Sequence, residues 1–192
     1  MASKIKVDTL ETANGSGTIA LSNQLSGMTT ASLPALGSAQ MPTGSSIQVV
    51  NFQTGAVATG TTTIPYDNTI PQITEGTEFM TLNFTPTSAS SILLIDVVCQ
   101  MTADALVFDT VCLFEGTTAN ALATSVSDNS RAAAFEVNSF RHKMTAGSTA
   151  QKTFRVRGGG HGASTVTFNG RNGGGAYNGT MASSITITEV AA

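Results

Sequence analysis

Short apolar runs dominate this 192-residue chain from Ile47 onward, and they recur with the periodicity of β-strands. Between Glu78 and Thr85 apolar and polar residues alternate, whereas the run from Ile92 to Met101 is almost continuously apolar. Alternation is typical of a strand with one buried face, and a short continuous run is typical of a strand covered on both faces. Glycine, asparagine, serine and proline separate the runs and favour turns. The chain is therefore predicted to be all-β.

The runs predict about nine strands, at the spacing seen in sandwiches and barrels. The predicted strands are Ile47–Phe52, Thr62–Pro65, Glu78–Thr85, Ile92–Met101, Leu106–Glu115, Phe135–Lys143, Thr153–Arg157, Ser164–Asn169 and Ser183–Val190. Helical periodicity is absent over windows longer than one or two turns, and only Thr118–Thr124 is a candidate for a short helix. We expect a jelly-roll-like β-sandwich over residues 46–192.

Residues 1–45 form a predicted arm, because charged residues disappear after Glu11 and do not return until Asp67. Asn14-Gly15 favours a type I′ turn between two short alternating segments, so residues 4–22 predict a β-hairpin. Its apolar side chains are those of Ile5, Val7, Leu10, Ile19 and Leu21. They are too few to offset an ordering cost of roughly 1–2 kcal/mol per residue, so a partner must supply buried surface. We expect strand addition to a neighbour's sheet edge, with mutual wrapping of arms as the alternative.

Composition restricts the possible functions. Charged residues make up 11% of the chain, less than half of the usual fraction of about 25%. Nine Lys and Arg against twelve Asp and Glu leave little to neutralise phosphates, so nucleic acid is not an expected partner. The longest apolar run is about half of a membrane-spanning helix, so membrane insertion is not expected. No apolar stretch follows the first four residues, which predicts synthesis in the cytoplasm without a secretion signal.

No catalytic constellation is evident in the sequence. Only His142 and His161 could serve as bases, and no Gly-x-Ser-x-Gly elbow accompanies them. His142 lies between two cations, and His161 lies in a glycine run, Gly158–Gly162, that predicts a wide flexible turn without hydrogen-bond partners for the ring. A strand pattern follows that run, which argues against a phosphate-binding loop. We predict no catalytic residue.

A pair of carboxylates of the glycosidase kind is the rival hypothesis, because such partners need not be close in sequence. Asp96 is the unusual carboxylate, since it lies within an apolar run and predicts either a subunit boundary or the outer side of a half-covered face. The chain has no Trp and two Tyr, so the aromatic platforms of most sugar-cleaving grooves are scarce. A virion-borne glycan-degrading enzyme therefore remains as the alternative function.

Cys99 and Cys112 lie within predicted strands among apolar residues, which favours buried reduced thiols over a disulfide. Neither belongs to a Cys-x-x-Cys pair, and two histidines are too few for a zinc site. The spacing of Asp104, Asp109 and Asp128 does not fit an EF-hand. No metal and no cofactor is predicted.

A glycine-rich stretch over residues 171–179 is the best candidate for surface binding. Its polar and aromatic members are Arg171, Asn172, Tyr177 and Asn178. Such a loop can present adaptable hydrogen bonds around one aromatic anchor, as binding loops do. The alternative is an ordinary solvated hairpin loop.

The two long apolar runs, Ile92–Met101 and Leu106–Glu115, predict association of several copies. They contain more apolar side chains than one face of a small sandwich needs, and closed symmetry is the common way to cover the remainder. The number of copies does not follow from the runs.

Several stretches resemble virion structural proteins of tailed bacteriophages, especially small fibre-like or appendage-like proteins. Residues 3–10 and 17–21 are similar to the hairpin that opens many such proteins, and residues 113–122, 144–147, 153–157 and 181–190 are similar to a β-domain that recurs at their ends. The resemblance implies a homotrimer whose arm anchors to other virion proteins and whose C-terminal domain faces outward, with a host-surface glycan as a further partner. It implies no diagnostic catalytic or metal motif.

The sequence has no long fibre shaft, which restricts the classes of virion protein that the resemblance implies. A short fibre, an appendage of the tail, collar or baseplate, or a capsid decoration protein is expected. The expected location is the virion, after synthesis in the host bacterial cytoplasm.

Overall fold

The structure is a computed structural model, and it describes residues 41–128 and 131–192. The predicted hairpin arm therefore lies outside the described residues, and with it the five residues predicted to anchor the chain to a particle. Those five are Ile5, Val7, Leu10, Ile19 and Leu21.

The described residues form twelve strands and one short 3-10 turn, with no α-helix among them. The strands are β1 Ser46–Thr54, β2 Ala58–Gly60, β3 Thr77–Phe84, β4 Ile92–Ala103, β5 Phe108–Glu115, β6 Ala123–Asp128, β7 Glu136–Thr145, β8 Lys152–Gly160, β9 Val166–Phe168, β10 Gly170–Arg171, β11 Gly174–Gly175 and β12 Ser183–Val190. The 3-10 turn spans Tyr177–Gly179. The all-β prediction is confirmed.

Eight long strands build two antiparallel sheets. One sheet has the order β1-β12-β4-β7, and the other has the order β3-β8-β5-β6. The first long strand in the chain therefore pairs with the last, β1 with β12. The second pairs with the second to last, β3 with β8, and the remaining pairs are β4 with β7 and β5 with β6. This is the double Greek key of a jelly roll. The strands β2 and β9 extend the first sheet beyond the end of β12, and β10 and β11 form a separate small hairpin.

The main core lies between the two sheets and follows from strand alternation. In β4, Leu93, Ile95 and Val97 are fully buried, while their sequence neighbours are half-exposed on the outer face. The same alternation brings Ile185 and Ile187 of β12 into the core. From the second sheet, the buried partners are Leu82, Phe84, Val111, Leu113, Phe154 and Val156. The sandwich prediction is therefore confirmed by its packing.

A second, smaller core covers the outer face of β5. Ile64 packs there against Cys112 and Phe114, because residues 61–76 fold back over the sheet. Ile64 N donates to Gly160 O at 3.0 Å, and Ala121 N donates to Pro71 O at 2.9 Å. The expectation that other copies must cover both long apolar runs was therefore wrong for β5, which its own chain covers.

The glycine run was predicted to be a wide turn, and this was wrong. Gly158, Gly159 and Gly160 are buried and form the end of β8. A Cβ atom at Gly159 would overlap the carbonyl oxygen of Thr62. Glycine is needed here because the covering segment lies directly on the strand backbone.

Two other local predictions were wrong. Thr118–Thr124 contains no helix, since Thr118 N bonds Glu115 O in a turn and β6 begins at Ala123. The edge strand β6 was missed because serine and threonine dominate it, and only its pairing with β5 makes it a strand. Thr62–Pro65 is not a strand, because it crosses the outer face of the sheet as covering chain.

The two ends of the sandwich differ. At the entry end the chain joins β1 beside the C-terminus, where Gly44 N donates to Ala191 O and Ala191 N donates to Ser45 O, both at 2.9 Å. The connections 85–91, 116–122 and 146–151 lie at this end. At the loop end lie residues 55–66, 104–107, 131–135 and 161–182. Residues 67–76 cross the outer face of β5 to the 116–122 connection, where Ile73 N donates to Ala119 O at 2.7 Å, and then return to the start of β3. The eight residues of β12 separate the two ends by roughly 26 Å.

Candidate functional site

The site is built at the loop end by residues 169–182, which join β9 to β12. Asn169 anchors this segment, with a left-handed φ of 54° and a fully buried side chain. Its amide nitrogen donates to Thr54 O at 2.7 Å and to Ala56 O at 3.2 Å, and its oxygen accepts from Ser183 Oγ at 2.7 Å. One side chain thus ties the segment to the ends of β1 and β12.

The hairpin of β10 and β11 forms the first part of the segment. Asn172 and Gly173 have φ of 51° and 77°, as a type I′ turn requires. Gly173 N donates to Thr167 Oγ1 at 3.0 Å, and Thr102 Oγ1 donates to Gly170 O at 3.0 Å. The hairpin is therefore held on β9 and β4.

A left-handed turn forms the second part. Tyr177, Asn178 and Gly179 have φ of 49°, 51° and 82°. Thr180 supports the turn, because its N and Oγ1 donate to Tyr177 O at 3.1 and 2.8 Å. Gly55 lies against Gly179 so closely that a Cβ atom there would overlap the Gly179 carbonyl. A bulky residue in this backbone region is an outlier, and such strain persists only when surrounding contacts impose it.

Tyr177 forms one wall of an open groove of about 400 Å³. Tyr177 is 80% exposed, and Phe135, which also lines the groove, is 48% exposed. Gln100, Thr180 and Met181 complete the lining. Gln100 Nε2 donates to Ala182 O at 2.8 Å, which fixes this side chain to the start of β12. The described lining includes no charged side chain.

The four residues predicted to form a binding loop are all exposed, yet they do not share one site. Tyr177 lines the groove just described, with Asn178 next to it in the turn. Asn172 lines a different cleft of about 310 Å³ with Asp104, Thr165 and Thr167. Arg171 lines neither cleft. The hairpin of β10 and β11 therefore divides the predicted loop.

Phe135 and Gln100 were missed as site residues. Phe135 was assigned to a strand, but β7 begins at Glu136, so the ring lies on the connection before it. Gln100 lies on the outer face of β4, three residues before the strand ends. Its polar side chain within an apolar strand is a local signal, but nothing local joins it to a tyrosine 77 positions later.

Three carboxylates of the described residues, those of Glu78, Asp96 and Glu115, form ion pairs with cations. Glu78 Oε1 lies 2.9 Å from Arg155, and its Oε2 lies 3.3 Å from Arg157. Asp96 lies on the outer face of β4, which is one of the two positions predicted for it. There Arg141 Nε donates to its Oδ1 at 2.6 Å.

Asp109 is different, because it is fully buried and neither of its oxygens accepts a hydrogen bond from a described residue. Burial and the negative charge of Glu136 raise the pKa of Asp109 to about 7. The side-chain oxygen of Asn138 nearby also lacks a donor. Asp109 faces the core and not a cleft, so its environment does not resemble a catalytic groove.

The two histidines have structural surroundings. His161 Nδ1 accepts a hydrogen bond from Phe108 N at 2.8 Å, and its ring lies 5.0 Å from the Phe108 ring. The prediction that this ring would lack a hydrogen-bond partner was wrong, because β8 and β5 hold it in place. His142 is half-buried, and burial lowers its pKa.

Both cysteines are free and buried, as predicted. Burial raises the pKa of Cys99 to about 12 and that of Cys112 to about 11. Across 41–128 and 131–192, no three side chains of His, Cys, Asp or Glu gather as metal ligands. The same residues include no helix long and apolar enough to cross a membrane.

No family model matches the chain, and no curated protein matches it. Similar solved structures include Eiger TNF from S. frugiperda, with 8% identity, TM-score 0.44, and coverage of 74% of this chain and 93% of that chain.

Two further similar structures are the insecticidal delta-endotoxin Cry8Ea1 from Bacillus thuringiensis and the structure of infectious bursal disease virus Gx strain. The former has 12% identity and TM-score 0.37, and covers 60% of this chain and 18% of that chain. The latter has 15% identity and TM-score 0.32, and covers 77% and 39%. The chain spans less than a fifth of the first and about two fifths of the second. These likenesses are too weak to indicate a function.

Proposed function

We propose that this protein is a non-enzymatic structural protein of a bacteriophage virion. In this proposal it is a short fibre or appendage of the tail, collar or baseplate. Residues 1–45 attach it to other virion proteins, and its loop end faces outward. The sequence resemblance of the first 21 residues and of the later β-strands supports the phage origin.

The observation that carries the proposal is the separation of the two ends of the sandwich. The chain enters beside Ala191, whereas the braced loop with Tyr177 lies at the opposite end. A domain tethered at its entry end presents its loop end to the surroundings. The exposed, rigidly supported loop at that end is suited to contact with a host surface, because binding residues are commonly placed on loops of a rigid scaffold.

We also propose a homotrimer. The outer face of β4 supports association, because Ile92, Leu94 and Val98 are only half-buried on it. The number three comes from the resemblance to phage proteins. Light scattering on the intact protein should report three times the 19.6 kDa chain mass, and a stable monomer contradicts this part of the proposal.

Deletion of residues 2–45 tests the attachment. We expect the truncated protein to keep the cooperative melting of the intact one, because both sheets begin at or after Ser46. We expect it to be absent from particles produced with the truncated gene. Quantitative immunoblotting of purified particles measures incorporation, with the substitution Val126→Ala, at an exposed position of β6, as the matched control.

Four results contradict the proposal in whole or in part. A truncated chain that fails to fold makes residues 1–45 part of the core. Normal incorporation of a folded truncated chain removes the anchoring role. Release of reducing sugars from host polysaccharide by the purified protein makes it an enzyme. Immunogold labelling on the capsid surface, away from the tail, favours a decoration protein over an appendage.

A further inference from the structure

We propose that the groove between Phe135 and Tyr177 binds a neutral sugar unit of a host-surface glycan. This inference rests on the proposed function, in which the loop end faces outward. The proposed site differs from the binding loop predicted from the sequence. Tyr177 belongs to both, whereas Arg171 and Asn172 do not line the groove.

The walls of the groove match the two-sided chemistry of a pyranose ring. The exposed rings of Phe135 and Tyr177 offer apolar faces to the C–H groups of a sugar. Polar groups of the lining can serve its hydroxyls: the side-chain amide of Gln100, the Thr180 hydroxyl as an acceptor, and the phenol of Tyr177. A pocket with aromatic walls and few polar groups is the usual form of a small-ligand site, and the volume of about 400 Å³ suits one or two sugar rings.

Charge selects the kind of sugar. The described lining consists of Gln100, Phe135, Tyr177, Thr180 and Met181, so it offers no cation to a carboxylate or phosphate and no anion to an amine. A charged ligand would lose water at this surface without gaining a counter-charge. The groove therefore favours a neutral glycan over an acidic one.

The backbone at Tyr177 supports a binding role for its ring. The residue is held in the left-handed region by Thr180 and by the contact of Gly55 with Gly179. Tyr177 is 80% exposed, so its ring contributes little to the stability of the fold. Glycine would adopt this backbone conformation with less strain. Strain of this kind, imposed on an exposed aromatic residue, points to a function of the side chain. A backbone that is fixed before binding lowers the ordering cost of binding.

Saturation-transfer NMR on the intact protein tests the site. The probes are oligosaccharides of glucose, galactose, mannose, rhamnose, N-acetylglucosamine and N-acetylgalactosamine, with oligoglucuronate as the acidic counterpart. We expect at least one neutral oligosaccharide to bind and oligoglucuronate not to bind. Phe135→Ala and Tyr177→Ala should each weaken that binding at least tenfold with an unchanged melting temperature, whereas Tyr177→Phe should keep most of it.

Tyr66→Ala is the matched control, because Tyr66 is an exposed aromatic residue at the loop end, outside the groove. Equal loss of binding in this variant overturns the assignment to the groove. Binding of none of the neutral probes, or preferential binding of oligoglucuronate, overturns the proposal itself. If the protein is present on particles but binds no sugar, the groove assignment is wrong and the proposed function stands. If the protein binds sugar but is absent from particles, the proposed function is wrong and the groove assignment stands.

Discussion

Glu189, at the entry end of the sandwich, and Asp109, at the loop end, are both fully buried carboxylic acids, and their surroundings are opposite. Glu189 accepts hydrogen bonds from Gln48 Nε2 at 2.6 Å, Thr87 N at 2.9 Å, Thr87 Oγ1 at 2.8 Å and Ser88 N at 3.2 Å. Burial alone would raise the pKa of Glu189, but the bonds from Gln48 and Thr87 outweigh burial and hold that pKa below its usual value. The entry end is therefore built around a stable negative charge.

Asp109 has no such donors. It lies on β5 beneath β7, with Glu136 as the nearby charge and Cys99 of β4 as a further titratable neighbour. Because burial and Glu136 both disfavour ionisation, the pKa is about 7, and the carboxyl is largely neutral below that pH. Glu136 is the first residue of β7 and directly follows Phe135. Asp109 therefore lies close to the strand that begins next to the proposed groove.

The difference shows where the fold concentrates its stability. Buried polar groups stabilise only when their hydrogen bonds are made, and an unpaired one destabilises. The entry end satisfies its buried acid and anchors residues 85–91, whereas the loop end tolerates an unsatisfied acid beside the residues that face solvent. Stability that is lower near a binding surface is common, because function constrains residues there.

Loss of the Glu189 carboxylate should have the largest effect. In Glu189→Ala, Thr87 N, Ser88 N and Gln48 lose their acceptor at the same time, and we expect unfolding at pH 7 to be easier by about 4 kcal/mol. Urea denaturation measures this loss. Glu189→Gln, which keeps the shape but lacks the charge, should lose about half as much. A loss below about 1 kcal/mol in the alanine variant contradicts the role of this network.

Removal of the Asp109 charge should have the next largest effect on the free energy of unfolding. This change should stabilise the protein, whereas loss of Glu189 destabilises it. The native pKa is raised from 3.8 to about 7, so the native state binds a proton that the unfolded state has lost, and stability falls as pH rises through this window. Asp109→Asn should gain up to about 4 kcal/mol at pH 8 and almost nothing at pH 4, since one pKa unit corresponds to about 1.4 kcal/mol and the pKa is raised by about three units.

Urea denaturation from pH 4 to 8 measures this effect in the wild-type and variant proteins. The wild-type protein should lose stability across the range, whereas the variant should stay nearly flat. Asp128→Asn, at an exposed position of β6, is the control and should follow the wild type. If the wild-type curve is also flat, Asp109 has a donor or an ionised environment other than the one described.

A change at Tyr177 should have the smallest effect on stability. Glycine adopts the left-handed region without the strain of a bulky residue, and its greater freedom in the unfolded chain removes part of the gain. Tyr177→Gly should therefore be more stable than the wild type by about 0.5–1 kcal/mol. Calorimetry measures the shift, and Asn178→Gly should gain less, because asparagine tolerates this backbone region. A loss of stability in Tyr177→Gly contradicts the strain argument.

Several elements of the fold could be predicted from local sequence alone. The strands β3, β4, β7 and β12 lie within one or two residues of their predicted bounds, because alternation and continuous apolar runs reflect burial directly. The burial of Cys99 and Cys112 follows from the same runs.

Only the tertiary structure decided the other features. The strand β6 exists because β5 pairs with it, and Gly158–Gly160 form a strand because residues 61–76 need their bare backbone to lie on. The sequence places Arg171 and Tyr177 in one loop, but the hairpin of β10 and β11 separates them and brings Tyr177 to Phe135, 42 positions earlier. Short-range periodicity reports which face of a strand is buried, whereas the pairing of the long strands into two sheets determines which distant residues meet.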